Sequence, residues 1–102
     1  QALLEQLNAV VCAHPTVLDE SDLKARIAPV QQFRIGLHPA QRGFVHVQLR
    51  LLSGRTPEVK KELTDRIATV LRARIPQPAG MLVLLSAEIV DMDRDSYFKA
   101  RL

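Results

Sequence analysis

The chain has 102 residues, 47% of them hydrophobic, which is the size of one small domain spanning 1–102 with a core thin enough that assembly would supplement it. Its 14 Lys and Arg against 11 Asp and Glu leave a net charge of only +3, scattered in short alternations, which argues for solvated faces with local anion sites and against a basic nucleic-acid surface. One cysteine, Cys12, excludes an internal disulfide, and with neither a signal peptide nor an apolar run of roughly 18 residues the expected setting is reduced, soluble and cytoplasmic, without a membrane partner.

The first segment, QALLEQLNAVVCA, places Ala2, Leu3, Leu7, Val10 and Val11 near helical spacing and is closed by His14-Pro15. The polar, turn-rich TVLDESDLKAR follows. In IAPVQQFRIGL, the residues Ile27, Val30, Phe33 and Ile35 predict an irregular or bulged strand over 27–35, with Pro29 excluding a central, fully laddered position. HPAQRG reads as a hairpin loop. Beyond it, FVHVQLRLL alternates Val45, Val47, Leu49 and Leu51 with Phe44, His46, Gln48 and Arg50, the pattern of a strand with one apolar face.

Thr56-Pro57-Glu58 supplies a helix start: a capping hydroxyl, a proline whose missing N–H costs nothing there, and an acid in the first turn. Val59, Leu63, Ile67, Val70 and Leu71 then form one apolar stripe of a helix over 57–74, opposite Lys60, Lys61, Glu62, Asp65 and Arg66. The prolines and glycine of IPQPAG end it. MLVLLSAEIV predicts a strand buried on both faces over its first half, as a parallel neighbour beneath a helix requires. Strand, helix and strand make a βαβ unit over 43–90. The preceding helix and strand form a second such unit without its leading strand, so a strand of about 5–6 residues is expected ahead of Gln1.

Arg55 stands at the corner between strand and helix. A cation beside the positive end of a helix is mildly unfavourable unless an anion shares the site.

These residues carry a family resemblance. GFVHVQLRLLSGRTPEVKKELTDRI and LVLLSAEIVDMDRDSYFK, with DLKARIAPVQQFRIG before them, resemble the 5-carboxymethyl-2-hydroxymuconate Δ-isomerase family of the tautomerase superfamily. The most specific parts are FVHVQL, the SGRTPE corner and the DRDSYFK end. The resemblance implies an α+β fold of tautomerase type, βαββαβ, assembled as a homotrimer without cofactor or metal. It also implies a chemistry: an N-terminal proline acts as general base, moving a proton in an unsaturated dicarboxylate beside a carbonyl, while arginines bind the carboxylates and stabilise the enolate. Carried over by motif, Arg55 falls on the substrate-binding arginine. Lys24 and Arg26 fall on the segment bearing a second cationic ligand, where many members have arginine in place of Lys24, and an ammonium is a point charge where a guanidinium is a fork.

The six prolines, at 15, 29, 39, 57, 76 and 78, are all amides without basicity, and Gln1 begins a helix. The expected base is therefore a proline upstream of Gln1, and residues 1–102 by themselves are expected to be catalytically incomplete. Other polar residues have blander readings. His46 reads as a hydrogen-bonded interface histidine, with no second ligand at zinc spacing. His14 and His38 flank prolines in loops without a specific role, and Cys12 reads as a buried, inert thiol. Asp91, Asp93 and Asp95 lack the glycine and distal glutamate of a calcium loop. Two rival functions are a non-catalytic trimeric relative that binds small carboxylates, and an RNA-binding module, which the absence of an aromatic pair on one strand disfavours. The strand face with Phe44, His46 and Gln48 is expected at a trimer interface, with the SYFK end reaching a neighbour. Ring-cleavage acids and keto acids such as phenylpyruvate fit the substrate class equally.

Overall fold

The computed structural model describes residues 1–38 and 41–102; the predicted HPAQRG loop includes Pro39 and Ala40, outside the described residues. It is an α+β arrangement of two helices and a two-stranded parallel sheet: α1 (Ala2–Cys12), β1 (Arg42–Leu52), α2 (Pro57–Arg74) and β2 (Leu82–Met92), with short 3-10 turns at Glu20–Asp22 and Arg94–Ser96. The βαβ unit forms as its periodicities require. In α2, Thr56 caps the start by accepting the Val59 N–H through Oγ1 at 3.2 Å, Pro57 occupies the first turn, and Arg72 and Arg74 sit in the last turn, where cations favour the dipole. Ile75 and Pro76 end the helix.

β1 and β2 pair in register, Val47 opposite Ala87 and Leu49 opposite Ile89 on the helix-covered face, His46 opposite Ser86 and Gln48 opposite Glu88 on the other. The core lies between that covered face and the helices. Leu63, Ile67 and Leu71 of α2 are fully buried beside Val11 of α1, and full burial of each such side chain contributes roughly 1.5–3 kcal/mol. Arg66 of α2 donates to the Val10 carbonyl at 3.1 Å, satisfying one free acceptor at the end of α1.

Two strand expectations are corrected. Residues 27–35 form no strand: Pro29 lacks an N–H, Ile27, Val30 and Phe33 are about half exposed, and the segment is held by contacts other than a ladder. Phe33 meets Phe44 edge-on at 5.4 Å between ring centroids, and Arg42 donates to the Ile35 carbonyl at 2.9 Å. In β2, Leu82, Leu84 and Leu85 are exposed rather than buried on both faces. Both helices lie on one face of the sheet, so Leu82 and Leu84 on the other are not covered by a helix, and at Leu85 a hollow of about 410 Å³ opens beside Ala68 and Arg72 of α2. The radius of gyration, 15.7 Å, exceeds the roughly 13 Å of a compact chain of this length, in keeping with the extended, exposed stretch through 24–38.

Candidate functional site

The corner that follows β1 is built by three residues with separate tasks. Ser53 continues the ladder by donating its N–H to the Met92 carbonyl at 2.9 Å. Gly54 turns the chain at φ +124°, a conformation side chains rarely adopt. Arg55 then points back across the strand end: Nη1 donates to the Leu52 carbonyl at 2.9 Å, Nε to the Thr16 hydroxyl at 2.8 Å and Nη2 to the Thr16 carbonyl at 3.3 Å. A guanidinium has five N–H donors, so two remain for a ligand after these three. The predicted anion-binding residue is thus also a brace between the α1–β1 connection and the strand–helix corner.

Lys24 donates to the Asp22 carbonyl at 3.2 Å and is exposed. Arg26 is exposed and makes no hydrogen bond or ion pair among the described residues. Neither shares a hydrogen-bond partner with Arg55; both lie on the extended stretch that leads away from the 3-10 turn at Glu20–Asp22.

The loop that Arg55 braces is itself anchored by a residue read as idle. His14 is buried, and its Nδ1 accepts the Thr16 N–H at 3.0 Å, which leaves Nε2 carrying the proton and donating to Glu62 at 2.9 Å. The role of His14 is therefore corrected: it joins the end of α1 to α2 and shapes the turn that presents Thr16 to Arg55. On the opposite side of the corner, Arg94 donates through Nε to the Ser53 carbonyl. The signal for Arg94 was present in the βαβ reading, because parallel strands that end together bring the residues after each strand side by side.

The uncovered sheet face carries a second polar array. His46 meets the Ser86 hydroxyl through Nδ1 and the Glu88 carboxylate through Nε2, both at 2.7 Å, and Gln48 links Glu88 to Arg50. The hydrogen bond from His46, then that from Gln48, holds the Glu88 carboxyl below its ordinary value. Asp19 is likewise lowered, chiefly by the Ser21 backbone N–H and then the Ser21 hydroxyl. Cys12 is half-buried. The three aspartates at the end of β2 have separate environments: Asp91 pairs with Lys60 at 2.7 Å, Asp93 accepts the Asp95 N–H and the Ser96 hydroxyl, and Asp95 lies within the 3-10 turn that Asp93 caps. Of the SYFK end, Lys99 pairs with Asp22 at 3.0 Å within the chain, and Phe98 is almost fully exposed.

The fold is similar to that of the crystal structure of a 5-carboxymethyl-2-hydroxymuconate isomerase from Deinococcus radiodurans R1, with a TM-score of 0.80 and 29% sequence identity over 99% of this chain and 77% of that one. No curated protein matches the chain. The model of the family described as 5-carboxymethyl-2-hydroxymuconate isomerase matches residues 1–101. With the parallel βαβ unit and the SGRTPE corner in place, the chain belongs to the 5-carboxymethyl-2-hydroxymuconate isomerase family, an isomerase family of the tautomerase superfamily.

Proposed function

We propose that this isomerase moves a proton within an unsaturated keto or enol dicarboxylate of the 5-carboxymethyl-2-hydroxymuconate kind, without a cofactor, and that Arg55 holds one substrate carboxylate where β1 turns into α2. The observation that carries this reading is the double character of Arg55, fixed by three hydrogen bonds from two segments while two of its donors have no partner among the described residues. A guanidinium held in this way loses little rotational freedom on binding, and its fork matches a carboxylate. Removing a proton beside a carbonyl spreads negative charge towards the oxygens, and a fixed cation near the first turn of α2 favours that charge more than the neutral precursor. The base of this reading is the free amine of a terminal proline, as the family resemblance implies; this chain's own side chains contribute binding and charge stabilisation. Lys24 and Arg26 are candidates for a further carboxylate contact.

In this reading the working unit is a homotrimer in the cytoplasm, acting on acids from the cleavage of aromatic rings. The bare sheet face with Phe44 and Leu84, and the extended stretch through 24–38, supply apolar surface for such an assembly. Among the described residues no helix is long and apolar enough to cross a membrane. The test is the rate at which the full-length protein exchanges substrate hydrogen with deuterated water, alongside loss of the conjugated-diene absorbance. Exchange that Arg55→Ala lowers by an order of magnitude or more supports the reading; no exchange in the unaltered protein overturns it.

A further inference from the structure

The structure assigns Arg94 a role in reading the second charge of a dianionic substrate at the same corner; we propose that it is a specificity-determining residue selecting dicarboxylates over monocarboxylates. The inference rests on the reading of Arg55 given above. Two successive carbonyls at the end of β1 are each held by one arginine: Leu52 by Arg55 and Ser53 by Arg94. The two approach from different segments. Arg55 also reaches Thr16 in the α1–β1 connection, whereas Arg94 comes from the end of β2, beside the Met92 carbonyl that accepts the Ser53 N–H.

Between them stands Gly54, which has no side chain. The Arg94 Nη2 lies 3.5 Å from where a Cβ on Gly54 would be, so the guanidinium rests against the bare glycine. Only Nε of Arg94 is engaged, and no carboxylate pairs with it among the described residues, although Asp91, Asp93 and Asp95 are its near neighbours in sequence. Asp91 is occupied by Lys60, and Asp93 by the 3-10 turn it caps. Four donors of Arg94 and two of Arg55 therefore have no partner among the described residues. A ligand with two carboxylates can engage both guanidiniums, whereas a monocarboxylate engages only one.

The test is calorimetric titration of the full-length protein with muconate and with sorbate, which share a six-carbon diene but carry two carboxylates and one. Arg94→Gln retains a donor for the Ser53 carbonyl and lacks the charge, so it separates the brace from the recognition. The expected result is that Arg94→Gln weakens muconate binding by roughly 10- to 100-fold and leaves sorbate binding unchanged, that Arg94→Lys recovers part of the loss, and that Arg55→Ala weakens both ligands. Equal losses for the two ligands in Arg94→Gln, or no loss for either, would overturn the assignment. If Arg55→Ala changes neither affinity while Arg94→Gln still discriminates, the Arg55 reading fails and the Arg94 assignment survives. If the unaltered protein binds neither probe, both fail together.

Discussion

Arg55 grips Thr16 at two atoms, the hydroxyl through Nε at 2.8 Å and the carbonyl through Nη2 at 3.3 Å, across 39 positions of sequence. Binding and bracing are therefore joined in one side chain, and two substitutions separate them. Thr16→Val keeps the shape of residue 16 but removes the hydroxyl acceptor, costing stability by about 0.5–1.5 kcal/mol and leaving the charge at the corner. Arg55→Ala is expected to lower the thermal midpoint further and also to weaken a dicarboxylate analogue by roughly 10- to 100-fold. Thermal midpoints and titration calorimetry on both variants check this. Unchanged affinity in Arg55→Ala returns the residue to a brace alone.

His14 should matter to folding more than to chemistry. Its truncation leaves the Thr16 N–H without its acceptor and Glu62 without its donor, in a part-buried setting where an unmet donor costs roughly 1–3 kcal/mol. His14→Ala is expected to lose about that much, whereas His14→Asn, whose Oδ1 can stand near the position of Nδ1, is expected to recover part of it. Denaturant unfolding of the three proteins decides; equal stability of His14→Ala and the unaltered chain would sink the idea.

What could be read in the sequence was what repeats along one element. The alternation from Phe44 to Leu51 and the stripe Leu63, Ile67, Val70, Leu71 each have the period of the structure they form, and Thr56-Pro57 announces its helix by local chemistry. Contacts between distant segments have no period. His14 meets Glu62 across 48 positions and nothing in either local sequence reveals the partner, whereas the Arg94–Ser53 contact, across 41, follows only from the pairing of the two strands. The apolar run in β2 is a third case. Leu82, Leu84 and Leu85 state that cover is wanted without stating whether a helix or another molecule provides it, and the helices lie on one face only. Ile27, Val30 and Phe33 had strand composition, but pairing needs a neighbour's N–H and C=O groups as well as side chains, and Pro29 removes one donor.

The Glu88 carboxylate should titrate below its ordinary value of 4.5, because His46 and then Gln48 donate to the charged form. A carboxyl lowered on folding stabilises the fold above its unfolded value, and that contribution is lost as pH falls through the folded one. Acid should therefore weaken the His46–Glu88 link only below the normal glutamate range. His46→Ala, which removes the first of these donors, is expected to shift the Glu88 titration upwards towards its ordinary value and to remove most of this pH-dependent contribution. Carboxyl-carbon NMR of the labelled protein follows the group directly. Titration of Glu88 at or above 4.5 in the unaltered protein would contradict the geometry.

The last prediction concerns assembly through the uncovered face of the sheet. Parallel strands are ordinarily covered on both sides, yet here Phe44 and Leu84 stand opposite each other in register on the bare face, each more than two-fifths exposed, with His46, Ser86 and Glu88 beyond them. A second and third copy of the chain would remove this apolar surface from water while the polar array, already hydrogen-bonded within one chain, could enter the interface without leaving His46 unmatched. Sedimentation equilibrium of the full-length protein at micromolar concentration is expected to give a trimer. Leu84→Glu places a carboxylate opposite Phe44, where burial would strand a charge, and is expected to shift the population towards monomer with its far-ultraviolet helical signal retained. His46→Ala should also weaken assembly, since within the interface it leaves Ser86 and Glu88 without the partner that His46 provides. A monomer at these concentrations, or a Leu84→Glu protein that assembles as well as the unaltered one, would show that this face is not the interface.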